Sequence, residues 1–313
     1  MLSSTAPVSC SPSRFERAGA VVRAYLALTK TRIIEQLLVV TVPAMFLAQR
    51  GIPSVWLIVA TLIGGAAAAA SAHALNCVVD ADIDAKMKRT SGRPTARGTV
   101  SPRNALIFGL TLGAASAAWL AWTTNWLAAA LSVTAIAFYV LVYTLLLKRR
   151  TAQNIVWGGA AGCMPVVIGW AAVTGTVQWP ALVMFGVIFF WTPPHFWALA
   201  MRYRDDYAAA GVPMLPVVAT AQEVSKRIVI YSWTMALWSL LLVPVTSWIF
   251  LAAATLGGGW FVLMAHRLHV RVRAGGEAKP MRLFHLSNTY LCGLFGVIAV
   301  DAAIGLPVLG WPF

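Results

Sequence analysis

Charged residues are scarce in this 313-residue sequence: Asp, Glu, Lys and Arg make up 11% of it, and only ten are acidic. A soluble domain covers its surface with about 25% charged residues, so a water-soluble globular enzyme is excluded. Cysteine is also rare. Cys10, Cys77, Cys163 and Cys292 share no paired spacing, which argues against a disulfide framework and against a zinc site. Residues 1–19 lack an apolar core of signal-peptide type, so no cleaved signal is expected, and residues 1–24 read as a disordered cytoplasmic tail. What abounds is apolar, at 59% hydrophobic residues and a mean hydropathy of +0.75. The expectation is an all-α polytopic protein of the lipid bilayer, with one transmembrane domain over residues 25–313.

A helix that crosses the hydrocarbon needs about 20 mostly apolar residues. Nine runs approach this, at residues 33–48, 55–75, 105–122, 126–147, 155–174, 179–200, 228–247, 248–264 and 283–306. The connections between the third and fourth, fifth and sixth, and seventh and eighth runs contain neither Lys nor Arg. On the other side lie 23 of the 24 basic residues, and Arg50 alone falls across the membrane. Basic loops stay in the cytoplasm. The amino terminus is therefore expected inside and the carboxyl terminus outside, in a cytoplasmic (inner) membrane of bacterial type. The net charge of +14 then reports topology and requires no nucleic-acid partner. Most of the 14 Trp and 13 Phe read as interface anchors or packing surface.

The few acids are unevenly placed. Asp80, Asp82 and Asp84 follow the second run, and Asp205 and Asp206 follow the sixth, so half of them gather at two helix ends on the basic face. If the second helix continues past its apolar stretch, Asn76, Asp80 and Asp84 form one stripe and Asp82 points away. Oxygen-only Asp and Asn ligands, without His or Cys at ligand spacing, suit Mg²⁺ bridging carboxylates to phosphates. Lys86, Lys88, Arg89 and Arg93 stand ready for phosphate oxygens, although Asp82, Lys86, Lys88 and Glu277 read first as solvated helix-end charges. A second polar cluster, Tyr143, Lys148, Arg149, Thr151 and Asn154, follows the fourth run. Its basic residues serve either substrate or membrane anchoring, and Thr151 is a good helix cap. Gly92-Arg93-Pro94 and Gly211-Val212-Pro213 follow the two acid clusters in parallel, a hint of internal duplication.

The run Asn76-Cys77-Val78-Val79-Asp80-Ala81-Asp82-Ile83-Asp84 resembles the N-x-x-x-D-x-x-x-D motif of the UbiA-type intramembrane prenyltransferases. Trp191-Thr192-Pro193-Pro194-His195-Phe196-Trp197, Asp205-Asp206-Tyr207 and Gly211-Val212-Pro213-Met214-Leu215-Pro216 look like the protohaem IX farnesyltransferase (haem O synthase) family within it. Tyr143, Lys148-Arg149-Arg150-Thr151 and Asn154 are similar to that family's loop after its fourth helix. The resemblance spans roughly residues 25–305. It implies a nine-helix bundle with a central cavity, and transfer of farnesyl from farnesyl diphosphate to a vinyl group of haem b, with addition of water.

By this resemblance Asp80, Asp84, Asn76 and Asp206 are the catalytic and Mg²⁺-holding residues. Arg89, Lys148, Arg149, Arg202, Tyr143, Asn154 and His195 are the substrate-binding ones. Haem b is a substrate, and haem A synthase or oxidase-assembly proteins are candidate partners. The sequence departs from the wider superfamily at Cys77, where an Asp often follows the motif Asn, and at Arg202, where a second D-x-x-x-D motif would begin. His195 and His73 are candidates for haem iron or propionate, or for structural hydrogen bonds, and the basic loop after the eighth run is a further candidate for the propionates. Gly64-Gly65 with residues 66–70, and Gly158 to Gly162, provide either cavity space or close helix packing. Two rivals share features: a UbiA-type enzyme with 4-hydroxybenzoate or a chlorin as acceptor, and a secondary transporter. Transporters carry acids near the bilayer midplane, whereas Glu35 is expected to be the one acid inside a span.

Overall fold

The computed structural model describes residues 14–310, and side chains from residue 18 onward except those of 32, 33, 36 and 37. Among these residues the chain is helical throughout, with no strand. The first helices are α1 (Arg14–Thr29), α2 (Thr31–Gln49), α3 (Val55–Val79), α4 (Ala81–Lys86) and α5 (Pro102–Thr123). Next, α6 (Trp126–Ala137) runs on as a π-helix (Phe138–Leu147), followed by α7 (Asn154–Gly158) and α8 (Ala160–Thr174). The second half holds α9 (Trp179–Arg202), α10 (Arg204–Ala209), α11 (Leu215–Val218) and α12 (Ala221–Ser239) with a 3₁₀ extension (Leu240–Val245). It closes with α13 (Trp248–Arg273) and α14 (Pro280–Ile304).

Local sequence explains the helix ends. Ser54, Ser101, Asn125 and Thr220 accept hydrogen bonds from the amides of Leu57, Asn104, Ala128 and Glu223, filling donors that a helix start leaves open. Gly175 and Gly305, with φ near +70°, close α8 and α14 where a side chain would be strained. Consecutive long helices are neighbours in space: α3 lies on α5, α5 on α6, α6 on α8, α8 on α9, α9 on α12, α12 on α13 and α13 on α14. Helix α14 also reaches α2 and α9, and α2 meets α3 and α8, so the bundle closes.

Small residues let these helices approach. A Cβ on Gly64 would fall 2.5 Å from Leu120, and one on Gly109 would fall 2.8 Å from Leu75. Ser71 and Ser116 then donate across the α3–α5 seam to the carbonyls of Gly109 and Gly64, each at 2.7 Å. At Gly64 the small residue thus serves packing and opens no cavity; at Gly162 nothing lies within 4 Å.

The structure corrects several expectations. The tail read as disordered to residue 24 is helical from Arg14; residues 1–13 lie outside the described ones. The eight expected spans from α3 onward are present, each in a helix long and apolar enough to cross a membrane. The first expected span, residues 33–48, falls inside the 19-residue α2, which at 1.5 Å per residue runs about 28 Å, close to a hydrocarbon core of about 30 Å. Helix α13 extends to Arg273, well past the expected end at 264, because nothing in its sequence breaks the helix where the apolar stretch stops. Asp301 joins Glu35 as an acid inside an expected span. It is buried, and its Oδ2 accepts from the amide of Ser247 at 2.7 Å, capping α13 from the end of α14. Glu35 is exposed on α2.

Candidate active site

Helix α3 ends at Val79, but the ladder continues through the bend. Asp80 N donates to Asn76 O at 2.9 Å and Asp84 N to Asp80 O at 2.8 Å. The expected stripe therefore survives, with Asn76, Asp80 and Asp84 2%, 0% and 1% exposed, while Asp82 turns outward. Buried carboxylates require compensation, and basic side chains from three separate segments supply it. Lys148 is ion-paired with Asp80 Oδ2, and Arg93 Nη1 meets Asp84 Oδ2 at 2.5 Å. Lys30 Nζ donates to Asn76 Oδ1 at 2.8 Å. Burial, with the Arg93 cation nearby, draws the Lys30 ammonium down to about 8. Lys30 lies 46 residues before the motif, and only tertiary structure reveals its role.

Asn76 is fully engaged. Its Nδ2 donates to Asp80 Oδ2 at 2.6 Å and to Thr144 Oγ1 at 3.2 Å. Thr144 in turn donates to Tyr139 O, five residues back, at 2.8 Å, a contact that belongs to the wider turn of the π-helix. The π-helix continues this spacing to Lys148, whose amide donates to Tyr143 O at 2.8 Å. Its turn thus presents Thr144 and Lys148 together to the aspartate stripe. The Tyr143 ring fits over Gly158, where a Cβ would fall 2.1 Å from it. Asp80 Oδ1 is buried with no hydrogen-bond partner, and Arg149 Nη2 is 3.9 Å from it.

The second acid cluster folds against the first. Ile83, Met87, Ile155, Tyr207, Val212 and Met214 form one apolar cluster that joins α4, α7, α10 and the Met214-Leu215-Pro216 segment, with Tyr143 packed on it. Asp206 Oδ2 accepts from the Arg89 amide at 3.4 Å, Arg89 Nη2 reaches Tyr207 OH at 3.4 Å, and the guanidinium stands 5.9 Å over the Tyr203 ring. Arg149 grips Asp82 through two bonds of 2.7 and 2.8 Å and donates to Val79 O. That hydrogen bond holds the Asp82 carboxyl below its usual range.

Not every expected residue joins. Among the described residues no three His, Cys, Asp or Glu side chains group as metal ligands, so Asp206 does not meet Asp80 and Asp84. Arg202 is exposed and makes no ion pair among the described residues. Thr151 does not cap α7: its Oγ1 accepts from Gln153 N at 3.2 Å, and the helix starts later. Asn154 is buried, donates to Thr151 O at 2.8 Å and keeps Oδ1 unpartnered. His195 lies between Trp191 and Phe284, with Nδ1 2.7 Å from Ser287 Oγ. Ser287 gives its proton to Phe284 O at 2.6 Å. The Ser287 contact engages the Nδ1 side of the imidazole. His73 packs on Tyr139, and neither of its nitrogens has a partner.

The sequence model of the UbiA prenyltransferase family matches residues 37–288. The chain belongs to the UbiA prenyltransferase family. Within this family it is 63% identical to protoheme IX farnesyltransferase 2 of Saccharopolyspora erythraea, over 99% of this chain and 96% of that one. It is 62% identical to the protoheme IX farnesyltransferase of Mycolicibacterium paratuberculosis, over 96% and 97%. The fold matches a digeranylgeranylglyceryl phosphate synthase (TM-score 0.73, 13% identity, 90% of this chain and 98% of that one). It also matches a UbiA homologue of Archaeoglobus fulgidus bound to GPP and Mg²⁺ (TM-score 0.61, 17% identity, 88% and 99%). Membership makes the chain an integral membrane prenyltransferase.

Proposed function

We propose that this protein transfers the farnesyl group of farnesyl diphosphate to a vinyl group of protohaem IX, with water addition, to make haem O. The observation that carries the reading is the 62–63% identity, over nearly the whole chain, to proteins named protoheme IX farnesyltransferase. Against a phenolic or chlorin acceptor stand the Pro193-Pro194-His195-Phe196-Trp197 and Pro213-Met214-Leu215-Pro216 segments that the resemblance rests on.

The donor set of the stripe fits Mg²⁺. It consists of carboxylate and amide oxygens, and Asp80 Oδ1 is a buried oxygen without a hydrogen-bond partner. Asp80 and Asp84 would hold the ion, with Asp206 joining through the substrate. Asn76 orients Asp80, and it becomes a ligand itself only when Lys30 releases its oxygen. Bound there, the ion supplies positive charge for the diphosphate leaving group. Lys148 and Arg93 carry the donors nearest the stripe, and Arg149, Arg89 and Arg202 line the rim for further oxygens. As the allylic C–O bond breaks, its electron pair leaves with the diphosphate, and these cations stabilise the charge that develops. The haem vinyl π pair forms the new C–C bond. Water adds to the resulting cation and gives up a proton, leaving the hydroxyl.

Tyr139 and Tyr143 pair with ring centroids 5.3 Å apart on the π-helix that carries Thr144, an aromatic surface suited to an allylic cation. His195, held at Nδ1 by Ser287, is the imidazole on offer to haem iron or a propionate. The cytoplasmic side of a bacterial inner membrane, with α2 completing nine spans, is the placement that the basic loops favour. The test is incubation of purified protein with haem b, farnesyl diphosphate and Mg²⁺, followed by mass spectrometry. The expected product is haem plus farnesyl plus water. A prenylated 4-hydroxybenzoate, with haem untouched, would overturn the reading.

A further inference from the structure

The hairpin of α12 and α13 carries a second charged constellation at its basic end. Two hydrogen bonds between the helices set their register there: Trp233 Nε1 donates to His266 Nε2 at 3.0 Å, and His269 Nδ1 lies 2.9 Å from Ser225 Oγ. Beside this seam run two exposed stripes at helical spacing, Lys226, Ile230 and Trp233 on α12 and His266, Val270 and Arg273 on α13. Each stripe is apolar towards the middle of the bundle and basic at its end.

The hairpin has almost no negative charge of its own. Residues 221–273 include five Lys or Arg and one acid, Glu223, which is engaged by Arg227 Nε at 2.7 Å. Lys226 and Arg273 form no ion pair among the described residues. Their charges and that of His266 all act on the His269 imidazole, so the four groups share one region. Depth is set by helix length. Helix α13 continues nine residues past the apolar run that ends at 264, which carries Arg273 about 14 Å further on. Trp233 lies seven residues, about 10 Å, deeper than Lys226, and tryptophan favours the membrane interface. Sorting basic residues to one side of a bilayer requires only their charge. It does not require two cations to flank a seam that hydrogen bonds hold in register, and by helical spacing Arg267 and Arg271 fall on another side of α13.

We infer that the seam between α12 and α13 is a binding site for an anionic phospholipid. Lys226, Arg273 and the imidazole of His269 face the phosphate, and Ile230, Trp233 and Val270 receive the glycerol and first methylenes. Basic pockets between membrane helices on the cytoplasmic side suit such headgroups.

The test uses full-length protein stripped of lipid in detergent, with native mass spectrometry counting bound molecules. Dioleoylphosphatidylglycerol is titrated in one arm and zwitterionic dioleoylphosphatidylcholine in the other. Two double variants are compared with the wild type: Lys226→Gln with Arg273→Gln at the seam, and Arg267→Gln with Arg271→Gln, which removes the same charge from another side of the hairpin. The wild type and the second variant are expected to retain phosphatidylglycerol in preference to phosphatidylcholine. Loss of two cations at the headgroup predicts about thirtyfold weaker retention of phosphatidylglycerol in the seam variant. Undiminished retention there overturns the site, and so does an equal loss in both double variants, which would report diffuse charge. Far-UV circular dichroism checks that each variant folds. If the seam variant does not, Lys226→Gln alone is compared with Arg267→Gln, with about fivefold weaker retention expected. Neither haem nor farnesyl diphosphate enters the assay, so the outcome is independent of the farnesyl-transfer reading.

Discussion

At the scale of single residues, burial separates the acids that matter from those that decorate. Asp80 and Asp84 are sealed against named cations, whereas Asp82 is 58% exposed and its partner Arg149 37%. Asp80→Asn or Asp84→Asn is expected to lower turnover by about 10²–10³-fold, the scale of losing one electrostatic contributor to a transition state, as measured in the haem assay. Chelation of divalent metal should abolish product and added Mg²⁺ should restore it; full activity in excess chelator would remove the metal role. Lys148→Met strands the buried Asp80 and is expected to cost about 3–5 kcal/mol in thermal unfolding. Asp82→Asn should cost under about 1 kcal/mol, because its ion pair is exposed and screened. The stripe was legible in the sequence because a four-residue spacing is local. Lys30 was not, since nothing in residues 30–32 signals a partner 46 positions away, and the saturation of Asn76 follows from that same distant contact.

At the scale of elements, the spans were legible because each carries an apolar run near the length that the hydrocarbon demands. The full reach of α13 was hidden, because residues 265–273 carry the basic charge expected of a loop. The π-helix was hidden as well. Phe138–Leu147 is an unbroken apolar run, and its register is set by Thr144 and Lys148 meeting α3 rather than by any residue preference. The roles of the small residues had stayed open between cavity and packing, and the α3–α5 seam decides them at Gly64. Gly64→Val is expected to destabilise the fold by about 1–3 kcal/mol through overpacking against Leu120. Gly162→Ala, with open space around it, should stay within about 0.5 kcal/mol. Thermal unfolding in detergent compares the two, and an equal response would refute the packing argument.

At the scale of the whole molecule, the sorting of basic residues predicts sidedness. A single cysteine placed at Gly276 in a cysteine-free background should react with an impermeant maleimide only after the membrane is opened. One placed at Thr124 should react in intact cells, and the reverse pattern would invert the topology. The two acid clusters were legible as neighbours from this topology alone, but the apolar cluster that clamps α4 against α10 was not. Its members, Ile83, Met87, Tyr207 and Met214, come from segments too short for any periodic pattern. One tie bears on how the chain is made. The turn before α13 receives its carboxylate from Asp301, 54 residues further on, and Leu309 N closes on Thr246 O beside it at 3.0 Å. A ribosome delivers that turn to the membrane long before its cap exists. The α12–α13 hairpin must therefore wait in the bilayer without this carboxylate, and its anchorage is completed only once α14 has followed it.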